Sequence, residues 1–440
     1  MKRVLIVGAG IIDKPNAAGI TLKSIFSEFD TNLLMGVEWR QRDKSQSAAL
    51  IPTRYLSFPM ISAARLLSKD CFKRVSQRMK KGEVSPKVDE THTQRKMSWQ
   101  IAVKWIRQWI ALLSAGSKVN ISREDMAAIR AFDPEVIYTV GESVTALDIA
   151  YRLSKSFDIP IVIHFMDNWK HSIEWYSNPL LKGYQKRLKR YCDLCYSRST
   201  YCIAIGEQMS KAYEAETGIK HGIIMNSIDT NLFSCEPRAV GEVIHFVYAG
   251  GLHLGRDKAL QHIGECIERV CTTTGKRAMF SIYTSPENID LFESEFSHLP
   301  NTKLCRAVAH DQICDIYRQS DVLVHVESTD LESNAFFKYS VSTKISEYLA
   351  TGRPFLFWGP ENISLFKLLR DNQLAYTVSN AQEIEETIVE LMAGSTNRYS
   401  ERAKKYAEQH FDISIAGKWF GKIIDTVALP SNIARKSNYD

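Results

Sequence analysis

The sequence has no apolar run of about 18 residues, so no membrane-spanning helix is predicted. It has no H-E-x-x-H or D-x-D motif, and no second C-x-x-C accompanies the pair Cys192 and Cys195, so no metal site is expected. The nine cysteines are scattered and odd in number, which favours reduced thiols in the cytosol. Cys192 and Cys195 are therefore interpreted as a packing pair, three residues apart on one helix.

Length and charge set the broad class. A chain of 440 residues is long for one hydrophobic core, so two domains of roughly 200 residues are expected. The net charge of +6 is unevenly placed, because thirteen Lys or Arg stand against four Asp or Glu between Arg54 and Arg107. The basic balance is one local patch, and no nucleic-acid partner is expected.

Short apolar runs alternate with segments of helical periodicity along most of the chain. This rhythm predicts an α/β protein with doubly wound parallel sheets. The clearest elements are strands at 134–140, 159–164, 322–326 and 355–358, and helices at 122–132, 143–156 and 343–351. A strand at 222–226 and a helix at 258–274 are also predicted. Ser122 is a predicted N-cap, and Gly352 is predicted to end the helix at 343–351.

The first strand is predicted at residues 2–10. The apolar run after Met1 could be a short signal peptide, but its glycines and the following Asp-Lys-Pro favour a strand and a turn. Gly8 and Gly10 supply two glycines of the dinucleotide fingerprint, whereas Asp13 stands at the third position. An NAD-dependent oxidoreductase is therefore a weak alternative, with Glu38 as its acidic residue.

Two segments of the second half place polar residues where a strand ends and a helix begins, which is where open α/β sheets bind ligands. After the predicted strand at 243–252, Gly251 and the cations Arg256 and Lys258 suit a diphosphate cradle. On the helix at 343–351, Lys344 and Glu347 share one face. They offer a cation for phosphate and a carboxylate for paired hydroxyls such as those of a ribose.

The sequence T-K-I-S-E-Y-L-A-T-G-R-P at 343–354 resembles the donor-binding helix of GT-B glycosyltransferases, specifically the retaining family 4. The pattern Y-x-G-x-L…R-x-K at 248–258 resembles the phosphate loop of these enzymes. The resemblance implies two Rossmann-like domains that face each other across a cleft. Residues 1–232 would bind the acceptor, residues 243–412 the nucleotide-sugar donor, and 413–440 would be a helix that crosses back to the first domain and a tail.

The resemblance also implies roles for individual residues. Glu347 would hold the ribose, and Arg256, Lys258 and Lys344 would stabilise the departing diphosphate. Family members usually carry a second Glu eight positions earlier, where this sequence has Tyr339, so the paired-Glu motif is incomplete. By its position in this motif, Tyr339 is an expected donor-binding residue.

In the first half, the resemblance implies that Gly19 lets the backbone approach the donor. It also implies that His164, in the motif H-x-x-D-x-W, faces the donor sugar as a catalytic residue. Asp167 of the same motif is a candidate contact to the sugar or the acceptor.

The implied activity is a metal-independent, retaining transfer of a hexose from a nucleotide-diphosphate sugar to a glycan, as in cell-surface polysaccharide biosynthesis. No cofactor is expected beyond the donor substrate. Two further alternatives stay open: a GT-B-fold nucleotide-sugar epimerase or phosphorylase, and a non-catalytic nucleotide-binding protein. Tyr339 in place of the usual Glu makes the second of these possible.

Residues 40–120 read as a basic, irregular insertion. Helical periodicity over 97–115 places Trp99 and Trp109 in an apolar arc with cations opposite. Such a helix suits the surface of an anionic membrane, but it equally suits packing on its own sheet. The membrane alternative predicts a lipid-linked acceptor and a cytoplasmic protein held peripherally at the inner membrane face through residues 54–115.

Overall fold

The structure is a computed structural model of the 440-residue chain. It describes residues 1–8, 17–38, 54–57, 119–172, 179–236, 241–253, 255–328, 337–394 and 398–428. The basic insertion, the helix predicted at 97–115, Gly10, Asp13 and the end of the tail lie outside the described residues, apart from residues 54–57 and 119–120 of the insertion.

The first half forms one sheet, whose strands are β1 (Val4–Val7), β2 (Leu34–Glu38), β3 (Arg54–Ser57), β4 (Val136–Val140), β5 (Ile161–Phe165), β6 (Tyr201–Ala204) and β7 (Lys220–Ile223). All neighbours pair in parallel in the order β3-β2-β1-β4-β5-β6-β7. The order reverses between β1 and β4, which creates a topological switch point.

Helices connect these strands, as parallel pairing requires. They are α1 (Ala17–Phe26), the 3₁₀ turn Thr31–Leu33, α2 (Arg123–Phe132), α3 (Val144–Phe157), α4 (Trp169–Ser172), α5 (Pro179–Tyr196), α6 (Glu207–Thr217) and α7 (Thr230–Phe233). The predicted Ser122 cap is confirmed, because Ser122 and Asp125 form a reciprocal capping box at the start of α2. Cys192 and Cys195 are buried on α5, and the Cys195 thiol donates to the Leu147 carbonyl of α3.

The second half repeats the architecture. Its strands are β8 (Val243–Ala249), β9 (Arg277–Thr284), β10 (Thr302–Arg306), β11 (Val322–Val326), β12 (Phe355–Trp358) and β13 (Tyr376–Val378). They pair in parallel in the order β10-β9-β8-β11-β12-β13, with the switch point between β8 and β11.

The helices of the second half are α8 (Arg256–Thr274), α9 (Pro286–Phe296), α10 (His310–Gln319), α11 (Thr343–Thr351), α12 (Ser364–Asp371), α13 (Ala381–Met392), α14 (Ser400–His410) and α15 (Ile413–Val427). Gly352 has a φ of 65° at the end of α11, a conformation that favours glycine.

The last helix, α15, packs against α1 and the first sheet. Phe420 on α15 lies edge-on to Phe26 of α1, with ring centroids 5.0 Å apart, and 5.4 Å from the ring of Tyr138 on β4. Asp412 caps α15 by accepting the Ser414 N–H, so the helix starts where the chain returns from the second sheet. The final helix therefore contributes to the core of the first half.

The doubly wound parallel fold predicted from sequence is confirmed in both halves. Two predicted boundaries are wrong at functionally relevant places. The helix predicted to begin at Lys258 begins at Arg256, and the strand predicted at 222–226 is β7 at Lys220–Ile223. The sequence reading also missed the edge strand β3 and the short elements α9, α12 and β13.

Candidate functional site

A cluster of charged side chains lies at the switch point of the second sheet. Glu327 follows the end of β11, and Arg256 is the first residue of α8, which follows β8. Lys344 and Glu347 lie on α11. The fold therefore collects these four residues at the carboxyl edge of the two central strands, where ligands bind in open α/β sheets.

Arg256 and Glu327 form a multiply bonded ion pair. Arg256 Nη2 donates to Glu327 Oε2 at 2.7 Å and to Oε1 at 3.0 Å, while Nε donates to Oε2 at 3.2 Å. The side chains are 13% and 5% exposed. The ring of Phe337 covers the guanidinium, with its centroid 4.8 Å from Arg256 Cζ. These contacts fix the planar guanidinium, and the described residues give its second terminal nitrogen, Nη1, no partner.

His325 supports this pair from within the sheet. Its Nε2 lies 3.0 Å from Glu327 Oε1, and its ring stacks on Phe357 with a centroid distance of 6.0 Å. Burial lowers the pKa of His325, although its bond to Glu327 acts in the opposite direction. Burial alone would raise the pKa of Glu327, but His325 and Arg256 together hold it below its ordinary value. Glu327 is thus a buried carboxylate that orients Arg256.

Lys344 brings a second cation to the same place. Burial lowers its pKa, the positive charge of Arg256 acts in the same direction, and Glu347 and Glu327 oppose the shift. A Cβ on Gly250, at the end of β8, would lie 3.2 Å from Lys344 Cε and 2.6 Å from the Tyr248 hydroxyl. The absence of a side chain at Gly250 therefore makes room for the lysine.

Glu347 lies one turn after Lys344 and is 5% exposed. Its Oε2 accepts a hydrogen bond of 3.1 Å from the Tyr317 hydroxyl on α10. The Tyr348 ring packs edge-on to Tyr317 at 5.1 Å, and its hydroxyl accepts the N–H of Ala249 on β8. Tyr317 of α10 therefore holds Glu347, and β8 holds the neighbouring Tyr348, so the helical face that carries Glu347 and Lys344 is fixed.

The helix that carries Arg256 begins without a side-chain cap. Gly255 occupies the N-cap position of α8 with a φ of 76°, and no side chain of the described residues caps the helix. One of the first N–H groups is already paired, because the Asp257 N–H donates to the Leu252 carbonyl at 3.1 Å. The N-cap residue of α11, Ser342, likewise makes no side-chain bond to the helix. Unsatisfied N–H groups and the positive end of the helix dipole favour an anion at such a terminus. The site thus combines two cations with two uncapped helix starts.

Two other residues predicted for the diphosphate cradle, Lys258 and Gly251, lie apart from the Arg256 side chain. Lys258 is exposed on the first turn of α8, two residues from Arg256 and so on a different helical face. Gly251 is the second residue after β8, and its carbonyl accepts the Tyr248 hydroxyl at 2.8 Å. In the first half, Gly19 is buried in the first turn of α1.

Asp167 and Tyr339 both lie where the two halves of the chain contact each other. Asp167 Oδ1 accepts the hydroxyl of Ser340 at 2.7 Å, and burial raises the pKa of its carboxyl group. The Tyr339 ring packs edge-on to Tyr213 of α6, with centroids 6.5 Å apart. The segment that carries Tyr339 is therefore docked on the first half of the chain.

His164 lies at 0% exposure on β5, away from the charged cluster. Its Nδ1 is 2.8 Å from the Tyr138 hydroxyl, and Nε2 has no partner among the described residues. Burial lowers the pKa of His164 to about 3, so the ring is neutral in the folded protein near neutral pH.

The neutral His164 leads to a prediction about stability. Below its ordinary pKa of 6.5, the unfolded chain binds a proton that the folded chain excludes down to about pH 3. The free energy of unfolding therefore decreases as the pH is lowered through this window, by roughly 1.4 kcal/mol per pH unit for one linked group. We expect urea unfolding to show a smaller loss between pH 7 and pH 4.5, by about 2 kcal/mol, in His164→Gln than in the parent. Equal losses would show that His164 is already charged in the fold.

In the part of the chain that the structure describes, no three His, Cys, Asp or Glu side chains come together as a metal-binding group. No described helix combines the length and the apolar character needed to cross a membrane. The membrane-binding segment predicted at 54–115 lies outside the described residues, except for β3.

Solved structures resemble this chain over nearly its whole length. Alr3699/HepE from Anabaena, solved in complex with UDP-glucose, matches with a TM-score of 0.57 and 13% identity, covering 97% of this chain and 100% of that chain. Sucrose-phosphate synthase from Thermosynechococcus elongatus matches with a TM-score of 0.58 and 9% identity, covering 96% and 98%. The chain therefore has the GT-B fold. No protein-family model matches it, and no curated protein is similar to it in sequence.

Sequence reasoning missed the partners that hold the predicted cations. Glu327, His325 and Phe337 were not singled out, although all three surround or support Arg256. One signal was available: His325 and Glu327 are two residues apart at the end of an apolar strand, so they share one face of the sheet. Two ionisable residues on one face of a buried strand indicate a paired site.

Proposed function

We propose that this protein is a glycosyltransferase that takes a sugar from a nucleotide-diphosphate sugar. The observation that carries the proposal is the oriented Arg256, held by Glu327 beside Lys344 and Glu347 at the switch point of the second sheet. The GT-B fold supports it, and so does the relative Alr3699/HepE, which was solved with UDP-glucose. A uridine nucleotide is the first donor to test.

Negative charge develops on the diphosphate as the bond to the sugar breaks. Glu327 already offsets the charge of Arg256, so the pair acts as an oriented hydrogen-bond donor, and Lys344 adds a second cation whose charge Glu347 partly offsets. The uncapped N–H groups at the start of α8 add fixed dipoles. Such preorganised donors stabilise a developing charge by roughly 3–4 kcal/mol each.

Glu347 would accept hydrogen bonds from the ribose hydroxyls of the donor, with its position fixed by Tyr317. In the proposed reaction, Arg256 and Lys344 take the place of a metal ion. The departing phosphate receives the acceptor's proton, and the configuration at the anomeric carbon is retained. A hexose is the proposed transferred group. The acceptor would be a glycan or a lipid-linked glycan at the inner face of the membrane, as in polysaccharide biosynthesis. Asp167, at the contact between the halves, is the proposed first-domain contact to sugar or acceptor.

Donor binding and turnover test this function. We expect UDP-glucose or another UDP-sugar to raise the melting temperature, since a ligand at a hundred times its Kd stabilises the fold by about 2.7 kcal/mol. UDP release that requires an added acceptor, measured by a coupled assay, would support transfer. Turnover of the sugar without any acceptor would instead indicate an epimerase. A panel of nucleotide-sugars and UDP that produces no thermal shift would contradict the proposal.

A further inference from the structure

A polar cavity with a volume of about 310 Å³ lies between the two halves of the chain. One wall comes from α6 of the first half, and the other comes from residues 338–339 and the start of α12 in the second half. The polar residues that line it among those described are Gln208, Lys211, Lys338, Tyr339, Asn362, Ser364 and Lys367. Arg256, Lys344 and Glu347 do not line it, so it is separate from the charged cluster at the switch point.

The described residues that line this cavity carry charge of one sign. Among them are three lysines and no Asp or Glu. Lys211 pairs with Glu207 one turn away, at 2.6 Å. Over the described ranges, neither Lys338 nor Lys367 has a carboxylate partner, and the Lys338 ammonium lies 5.2 Å from the centroid of the Tyr339 ring. A concave surface with several like charges attracts a counter-ion more strongly than isolated surface lysines do.

We propose that this cavity binds a small oxyanion, namely a phosphoryl or carboxylate group carried by a sugar-sized molecule. Lysine ammonium groups bind such anions as point charges, and the amides of Gln208 and Asn362 line the cavity as hydrogen-bonding groups. The proposal does not depend on sugar transfer, because Arg256, Lys344 and Glu347 take no part in it.

The cations of this cavity come from both halves of the chain. Lys211 belongs to α6, whereas Lys338 and Lys367 belong to the second half. An anion that contacts Lys211 together with Lys338 or Lys367 would bind both halves at once. The anion therefore links the two halves and favours the arrangement in which Ser340 bonds to Asp167.

The test uses inorganic phosphate on the full-length protein, compared with NaCl at the same ionic strength. We expect phosphate to raise the melting temperature by about 2 °C or more near saturation. The double variant Lys338→Gln/Lys367→Gln should lose this rise. Without phosphate, it should melt at the parent temperature or higher, because like charges have been removed. That second result separates a lost site from a damaged fold.

Matched variants locate the effect. Lys418→Gln/Lys422→Gln removes two exposed lysines of α15 and should keep the phosphate response. Arg256→Gln/Glu327→Gln disables the proposed donor site without leaving a buried unpaired charge, and it should keep the response as well. Glycerol 3-phosphate and glucuronate then distinguish a phosphoryl ligand from a carboxylate ligand. A phosphate response that is lost in Arg256→Gln/Glu327→Gln and kept in Lys338→Gln/Lys367→Gln would overturn the proposal, as would no response in the parent.

Discussion

Replacing Arg256 with glutamine is expected to lower kcat/KM for sugar transfer by about 100-fold or more. The guanidinium is fixed by Glu327 and covered by Phe337, so it is oriented before the donor arrives. An oriented donor needs no reorganisation when the diphosphate departs, which is why its removal should act on kcat. Steady-state kinetics with the donor found by thermal shift would measure the effect.

Loss of Arg256 also leaves Glu327 buried without its cation, which destabilises a fold by roughly 3–5 kcal/mol. Folding and catalysis are separated by the double variant Arg256→Gln/Glu327→Gln, in which the unpaired charge is gone. We expect urea unfolding to show recovered stability in the double variant, whereas transfer stays low. Activity that returns together with stability would mean that Arg256 acts only through the fold.

A matched control lies on the same helix. Arg269 of α8 pairs with Glu385 at 2.9 Å and is 48% exposed. Arg269→Gln should leave transfer within about two-fold of the parent, because exposed ion pairs contribute little. Parent-like transfer by Arg256→Gln would show that the assigned phosphate site is wrong.

The sequence predicts the central elements of the second half because their end signals are local. β11 is an apolar run bounded by polar residues, and α11 ends where Gly352 adopts a positive φ. The start of α8 was predicted two residues late, because its N-cap is Gly255, which offers no side-chain cap to recognise. Arg256 is therefore the first residue of α8, at a helix start that no side chain of the described residues caps.

The composition of the site was only partly predictable. Lys344 and Glu347 are three residues apart, so helical periodicity alone places them on one face. The pairing of Arg256 with Glu327 joins residues 71 positions apart, and only the β8–β11 neighbourhood brings them together. The surroundings of His164 were not predictable either. Its Nδ1 lies 2.8 Å from the hydroxyl of Tyr138 on the neighbouring strand, a contact that the sequence does not indicate. Its expected role toward the donor sugar stays a prediction.

Replacing Glu347 with glutamine is expected to weaken binding of the nucleotide-sugar by about 10- to 100-fold, since a hydrogen bond to a charged group contributes roughly 1.5–3 kcal/mol. The carboxylate is buried and fixed by Tyr317, so it accepts ribose hydroxyls without losing side-chain freedom on binding. Isothermal titration with the preferred donor would measure the loss. The effect should appear mainly in KM, because these bonds do not change as the sugar departs.

A donor with 2′-deoxyribose tests the assignment at the level of a single hydroxyl. The parent protein should bind the deoxy donor more weakly than the ribose donor, whereas Glu347→Gln should bind both with similar affinity. Tyr317→Phe provides the comparison, because it removes the 3.1 Å bond to Glu347 but keeps the carboxylate, so discrimination between the two donors should persist. If Glu347→Gln discriminates as strongly as the parent, the ribose lies elsewhere. Glu347 would then serve α11 and α10 as a structural residue.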